Sequence, residues 1–231
     1  MQICGLNKTT LLDYPGHVAT TVFTGGCNFR CPFCHNASLL GNPTDQMCLS
    51  EEEVFAFLEK RQGILEGVCI TGGEPTLQPD LETFIRKVKK LGYLVKLDTN
   101  GSAPTVLADL LHKELLDYVA MDVKASKENY QSAVGAVHFN LQDVEKSIEL
   151  LKKCGISYEF RTTVVKGIHR VEEFEKIGAW LEGCEAYYLQ AYRENDQVLM
   201  PGYDSFSKED MERMEILARK YIDKVVLRGV E

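Results

Sequence analysis

The sequence predicts an α/β fold built on a parallel sheet, and three observations carry that prediction. Short runs rich in β-branched and aromatic residues alternate with amphipathic stretches of helical period almost to the end of the chain. Capping residues and glycines punctuate the boundaries between them. The count comes to about six βα units, two short of a closed eightfold barrel. The sheet therefore either curls into an open, partial barrel or lies flat as a doubly wound sheet.

The first strand is read at residues 17–23, followed by a long loop. Ser50 and Glu53, three apart, form a capping box that opens a helix stopped by Gly63. Residues 67–71 are the second strand. Asp80 is expected to cap a helix with Leu81, Phe84, Ile85, Val88 and Leu91 on one face, ended by Gly92. Residues 93–98 form the third strand, residues 104–112 a helix with Pro104 in its first turn, and residues 118–124 the fourth strand. A helical piece near 126–134 precedes a helix that Asn140 caps and that runs to Cys154, with Gly155 as its stop. Residues 157–165 are the fifth strand, 171–181 a helix and 186–192 the sixth strand. A final helix, 207–221, capped by Ser207, leads to a last strand at 224–227. With no repeat or linker, one domain over 1–231 is expected: an N-terminal segment 1–16, a core 17–192, and a C-terminal helix and strand within 193–231.

Composition agrees. The 231 residues are 45% hydrophobic and 26% charged, and single cores grow to roughly 250 residues, so intrinsic disorder and a disulfide-stapled miniprotein are both excluded. No apolar run approaches the ~18 residues of a spanning helix, and the start lacks the basic-then-apolar pattern of a secretory signal. A cytoplasmic protein without a membrane partner is expected. The 26 Lys and Arg against 34 Asp and Glu leave a net charge of -8, which repels a phosphate backbone and argues against nucleic acid. In a reducing compartment the eight cysteines, at 4, 27, 31, 34, 48, 69, 154 and 184, are expected to be unpaired. Three of them fall within eight residues.

Those three, Cys27, Cys31 and Cys34, follow the first strand in a loop long enough to wrap an inorganic cluster. Iron–sulfur clusters normally take four cysteines, so a cubane with three protein ligands leaves one iron open to an exogenous ligand. Zinc with His35 as fourth ligand is the other reading of the same spacing. Thr71-Gly72-Gly73-Glu74-Pro75 follows the second strand: adjacent glycines permit close backbone approach, and Glu74 can accept hydrogen bonds from an ammonium group. Taken alone it also reads as a turn with a solvated Glu. Leu97-Asp98-Thr99-Asn100-Gly101 after the third strand reads alone as an ordinary turn. Asp122 and Lys124, one residue apart at the end of the fourth strand, share a face and read either as an internal salt bridge or as part of a site. Arg161 and Thr163 share a face of the fifth strand, and Gln190 and Arg193 bracket the end of the sixth. Cys4, Cys48, Cys69, Cys154 and Cys184 read as small buried hydrophobes or idle thiols; His17, His112, His138 and His169 carry no companion pattern.

The Cys-x3-Cys-x2-Cys spacing, with Phe33 just before the third cysteine, resembles the signature of the radical S-adenosylmethionine (SAM) superfamily. Asp13-Tyr14-Pro15-Gly16 and the run from Thr24 to Asn36 extend the likeness to the activating enzymes of glycyl radical enzymes, and within them to the activating proteins of anaerobic ribonucleoside-triphosphate reductase. The resemblance implies a partial (β/α)6 TIM-like open barrel with outer helices. It implies a [4Fe-4S] cluster on Cys27, Cys31 and Cys34, whose open iron is chelated by the amino nitrogen and carboxylate of SAM. Reductive cleavage would yield methionine and a 5′-deoxyadenosyl radical that takes a hydrogen atom from a glycine of the partner. It further implies that Gly72, Gly73 and Glu74 hold the SAM amino group, that Phe33 lies near the adenine, and that Asp98, Thr99 and Asn100 lie beside the ribose and methionyl part. Lys124 would meet the SAM carboxylate, and Asp98, Thr99 and Asp122 would help form a monovalent cation site. Arg161, Gln190 and Arg193 are candidate contacts to SAM or to the protein substrate, although some relatives place His where Arg193 aligns.

A flavodoxin or ferredoxin is the implied electron donor. Residues 36–50 hold only Cys48, which favours a single-cluster activase of the reductase or pyruvate formate-lyase type. A radical SAM enzyme acting on a small molecule, or a zinc-bound interaction module, are the alternatives. In parallel βα folds function gathers at the carboxyl ends of strands, and the cysteine loop and the motifs at 72–74, 98–100 and 122–124 all map there.

Overall fold

The computed structural model describes residues 1–41, 48–136 and 139–230. His138 lies outside them, as do residues 42–47 of the single-cysteine stretch. The chain divides into two compact units. One takes in Met1–Asn28, Ser38–Thr99 and Ala103–Val119; the other takes in Phe29–Ala37, Asn100–Ser102 and Ala120–Glu231. Strand order follows chain order from β1 to β8 without a return from β8 to β1, an unclosed α/β sheet.

In the first unit β2 (Ala19–Thr24), β3 (Gly67–Gly72) and β4 (Leu94–Thr99) pair in parallel, Ala19 facing Gly67 and Gly67 facing Leu94. Both neighbours being parallel, β3 is buried along Val68, Cys69 and Ile70, as its continuous apolar run requires. Helix α1 (Glu51–Lys60) opens on the expected capping box, Ser50 Oγ accepting from Glu53 N at 3.2 Å and Glu53 Oε2 from Ser50 N at 2.9 Å. Helix α2 (Leu81–Lys90) buries Leu81, Phe84, Ile85 and Val88. Asp80 precedes it without a side-chain cap bond, contrary to expectation. Its carboxylate is engaged by the Met1 α-amino group instead. Helix α3 (Pro104–His112) has the expected bounds.

An additional strand, β1 (Ile3–Thr10), runs antiparallel to β2. It lies in the segment set outside the core by sequence reading. Only Ile3 and Thr10 are buried along it, so it offers no clean alternation, and two register shifts interrupt its pairing. The turn between β1 and β2 is where Asp13-Tyr14-Pro15-Gly16 acts: Asp13 accepts from Thr21 Oγ1 at 2.5 Å, and the buried Tyr14 ring occupies the place a Cβ on Gly67 would take.

The second unit holds the end of β5 (Tyr118–Asp122) together with β6 (Ser157–Val164), β7 (Tyr187–Ala191) and β8 (Val225–Arg228), the last three parallel. Its helices are the short α4 (Tyr130–Val134), α5 (Leu141–Leu151), α6 (Glu173–Trp180) and α7 (Lys208–Ala218). Asn140 and Ser207 cap α5 and α7 as expected, accepting from Gln142 N at 3.2 Å and Asp210 N at 3.1 Å. Val144, Ile148, Phe160, Phe174 and Leu189 are buried in its core.

Candidate active site

In the first unit the carboxyl ends of β2 and β3 meet backbone to backbone. Gly73 N donates to the Thr24 carbonyl and Glu74 N to the Gly26 carbonyl, both at 2.8 Å; Gly26 N donates to the Leu39 carbonyl at 2.7 Å. A Cβ on Gly72 would strike the Thr24 backbone, and one on Gly73 the Gly26 carbonyl. The two glycines thus serve an approach between chain segments, and that approach fixes the residue before Cys27. Glu74 is not a solvated turn residue: it is 1% exposed, and its Oε1 accepts from Thr76 N at 3.1 Å, Thr76 Oγ1 at 2.5 Å and Thr99 Oγ1 at 2.7 Å. Three donors on one buried oxygen fix the carboxylate's orientation. Asp98 contacts the Lys96 ammonium and the Cys69 thiol, and the Lys96 ammonium also lies 5.9 Å from the Tyr118 ring centroid.

In the second unit Cys31 and Cys34 face a tight turn, Cys34 N donating to the Cys31 carbonyl at 3.0 Å. The segment is clamped on both sides: Arg30 N to Val134 O at 2.8 Å, Met200 N to Pro32 O at 2.9 Å and Leu199 N to Cys34 O at 3.1 Å. His35 gives its Nε2 to the Arg193 carbonyl at 2.6 Å and lies against the Tyr192 ring. Phe33 is buried, 6.3 Å from the His169 ring. Asn100 Oδ1 accepts from Ser102 N at 2.9 Å, and Gly101 between them is left-handed with its carbonyl bonded by Ser147 Oγ at 2.7 Å.

Asp122 takes Lys124 Nζ at 2.8 Å and Arg161 Nε at 3.0 Å. Burial pushes the Asp122 carboxyl up, but Arg161 and Lys124 outweigh it and hold it well below the usual carboxylate range. Burial likewise opposes the Lys124 charge, yet Asp122 and then Cys31 raise Lys124 above the ordinary lysine range. The row continues inward: Arg161 lies 4.0 Å from Glu159, which is 1% exposed and takes Arg228 in two 3.0 Å bonds. Gln190 is half-buried opposite Thr163 and Arg228 in register. Arg193 donates to the Gly229 carbonyl at 3.3 Å and lines a pocket of about 250 Å³ with Tyr192, Phe206 and Lys208.

Five residues of these contacts, Thr76, Lys96, Glu159, Arg228 and His169, were assigned no role by sequence reading, which did single out Asp98. Thr76 was signalled by its place two residues after Glu74. Lys96 and Asp98 obey the same one-apart rule on a strand that singled out Asp122 and Lys124. Glu159 and Arg228, far apart in sequence, meet only through the register of β6, β7 and β8. His169 is buried, with Nδ1 accepting from Val165 N at 3.0 Å; its Nε2 therefore carries the proton donated to the Lys124 carbonyl at 2.8 Å.

The cysteines are all outside disulfides. Among the described residues no three His, Cys, Asp or Glu side chains are arranged to hold a metal ion. The donor set itself, three thiols within eight residues of sequence, has the chemistry that a [4Fe-4S] cluster with an open iron uses.

The sequence model of the Radical SAM superfamily matches residues 21–181. A protein of Methanocaldococcus jannaschii, described as “Putative glycyl-radical enzyme activating enzyme MJ1227”, is 32% identical over 239 residues, covering 99% of this chain and 96% of that protein. Among solved structures, a domain of pyruvate-formate lyase-activating enzyme from Bacteroides vulgatus aligns with a TM-score of 0.58 at 16% identity, over 71% of this chain and 99% of that one. Streptococcus suis SuiB bound to S-adenosylmethionine aligns with a TM-score of 0.69 at 15% identity, over 88% of this chain and 48% of that one. At those identities the structural likeness speaks to the fold.

Proposed function

The chain belongs to the radical SAM superfamily, and on that premise we propose that it activates a glycyl radical enzyme, with anaerobic ribonucleoside-triphosphate reductase as the partner. The observation that carries this reading is the likeness to an activating enzyme along nearly the whole chain. The activase of another glycyl radical enzyme, such as pyruvate formate-lyase, is compatible with it.

Membership implies a [4Fe-4S] cluster and SAM, which when bound supply one-electron reductive cleavage of the sulfonium. Cys27, Cys31 and Cys34 would hold the cluster and leave one iron for SAM. Glu74, oriented by Thr76 and Thr99, would accept hydrogen bonds from the SAM amino group. Lys124, kept charged by Asp122 and steered by Arg161 through that carboxylate, would meet the SAM carboxylate. Phe33 would flank the adenine, and Asn100 would line the ribose side. The chain's task is to orient the reacting carbon against a glycine and to exclude water. The expected monovalent cation has less to support it, because Asp98 is engaged by Lys96 and Asp122 by Lys124 and Arg161. A cytoplasmic setting, with flavodoxin or ferredoxin as donor, completes the reading; no helix among the described residues is long and apolar enough to cross a membrane.

Anaerobic reconstitution with iron and sulfide, followed by SAM and a reductant, tests the chemistry. Four irons per chain and release of methionine are expected. Zinc without iron or sulfide would sink the proposal, and SAM cleavage with repeated turnover of a small molecule would replace it with the small-molecule reading.

A further inference from the structure

Two cysteines outside the cluster loop face each other across strand pairing in the first unit. Ile3 of β1 and Leu49 form an antiparallel bridge, with Leu49 N donating to the Ile3 carbonyl at 2.7 Å. Antiparallel register then sets the next residue of each segment, Cys4 and Cys48, directly opposite one another. Because Ile3 and Leu49 are the hydrogen-bonded pair, Cys4 and Cys48 occupy the non-hydrogen-bonded position, where opposed Cα atoms stand about 4.5 Å apart. Disulfides span Cα separations of about 4.4–6.8 Å, a range that includes the spacing typical of such a pair. On its other side β1 pairs antiparallel with β2. Its register shifts between Ile3 and Gly5, which makes Cys4 the extra residue of a bulge, a device that re-aims a side chain. Both thiols are half-buried, and neither is in a disulfide. Their contact is close: burial and the neighbouring Cys48 thiol push the Cys4 thiol up to about 11.

We propose that Cys4 and Cys48 form a redox-sensitive dithiol that closes to a disulfide by exchange with a small-molecule disulfide. One thiolate attacks the oxidant RS–SR, forming a mixed disulfide and releasing RS⁻. The second thiolate attacks the protein sulfur of that mixed disulfide, forming the Cys4–Cys48 bond and releasing the second RS⁻. Two protein thiols lose two electrons and two protons, and one RS–SR becomes two RSH. Because Cys4 is held protonated, exchange accelerates as pH rises. The bond would clip β1 to the segment leading into α1, closing a loop over residues 5–47 that contains all three cysteines of the cluster motif. Oxidant exposure would thereby be written into the unit that carries Cys27, at a site separate from the cluster thiols.

The test uses the cluster-loaded full chain, with oxidised glutathione as the probe, followed by alkylation and non-reducing peptide mapping. A cross-linked Cys4–Cys48 peptide two hydrogens lighter than its parts is expected, with Cys69, Cys154 and Cys184 still alkylated. Oxidation should raise Tm by several degrees, since a long loop is closed in the unfolded chain. Cys48→Ser and Cys4→Ser should each abolish the rise while matching the reduced wild type in Tm, and Cys154→Ser should retain it. Alkylation of both Cys4 and Cys48 after treatment, glutathione on each without a cross-link, or pairing of either with Cys27 would overturn the proposal.

Discussion

Replacing Gly73 with Ala tests the backbone junction that delivers Cys27. Gly73 has an ordinary φ, so the substitution introduces no left-handed strain, and its whole cost is steric. The new Cβ would sit well under 3.0 Å from the Gly26 carbonyl, a backbone atom that cannot swing aside. The two segments must part, which weakens the 2.8 Å bonds from Gly73 N to Thr24 O and from Glu74 N to Gly26 O. Each such bond contributes about 0.5–1.5 kcal/mol net, and overpacking of this kind costs about 1–3 kcal/mol, so a loss of about 2–3 kcal/mol is expected. At roughly 2–4 °C per kcal/mol for a chain of this size, Tm should fall by about 4–12 °C in a thermal scan. Gly41→Ala is the control: among the described residues nothing lies within 4 Å of its Cβ position, and its φ is not positive, so it should stay within about 0.5 kcal/mol of wild type. Iron uptake on reconstitution should fall in Gly73→Ala and not in Gly41→Ala, because Gly26 precedes the first cysteine. Equal Tm values for the two variants would refute the close approach.

Three further outcomes follow from the same geometry. Cys31→Ala should lose most cluster iron and all SAM cleavage by iron assay and methionine release, whereas Cys184→Ala, on a thiol that burial pushes up to about 11, should keep both. Asp122→Asn leaves Lys124 and Arg161 without their shared carboxylate and should cost about 1–2 kcal/mol at pH 7, the half-exposed setting reducing the value of a buried pair. Because the folded-state Asp122 value is depressed, its contribution is present above pH 4 and lost as pH falls through that value; urea midpoints from pH 5 to 2.5 should fall less steeply in the variant. For His169, burial lowers the folded-state value and outweighs the Lys124 carbonyl and Glu173. The unfolded chain takes up a proton near pH 6.5 that the folded one declines, so stability should fall from pH 7.5 to 5.5 in wild type and less in His169→Gln.

The physical sources of legibility differ from element to element. Helix α3 was readable because proline both starts a helix and forbids its extension backward, and α1 because a capping box is a local hydrogen-bond pair. β1 was not, since an outer strand with two register shifts buries too little to impose a period. Cysteine spacing pointed to a candidate cluster motif because the separation of ligands along one loop is written locally in the sequence. Glu74 looked like a solvated turn because its burial depends on Thr99, twenty-five residues on. The row from Lys124 through Asp122, Arg161 and Glu159 to Arg228 showed only its first pair, since the rest is joined by strand register.

The central claim is radical transfer to a partner enzyme, and electron paramagnetic resonance reads it directly. The reconstituted protein is mixed anaerobically with SAM, a reductant and anaerobic ribonucleotide reductase. A glycyl doublet on the reductase is predicted, absent when Cys31→Ala replaces the wild type. SAM cleavage at an undiminished rate with no radical on the reductase or on any other glycyl radical enzyme would contradict the account.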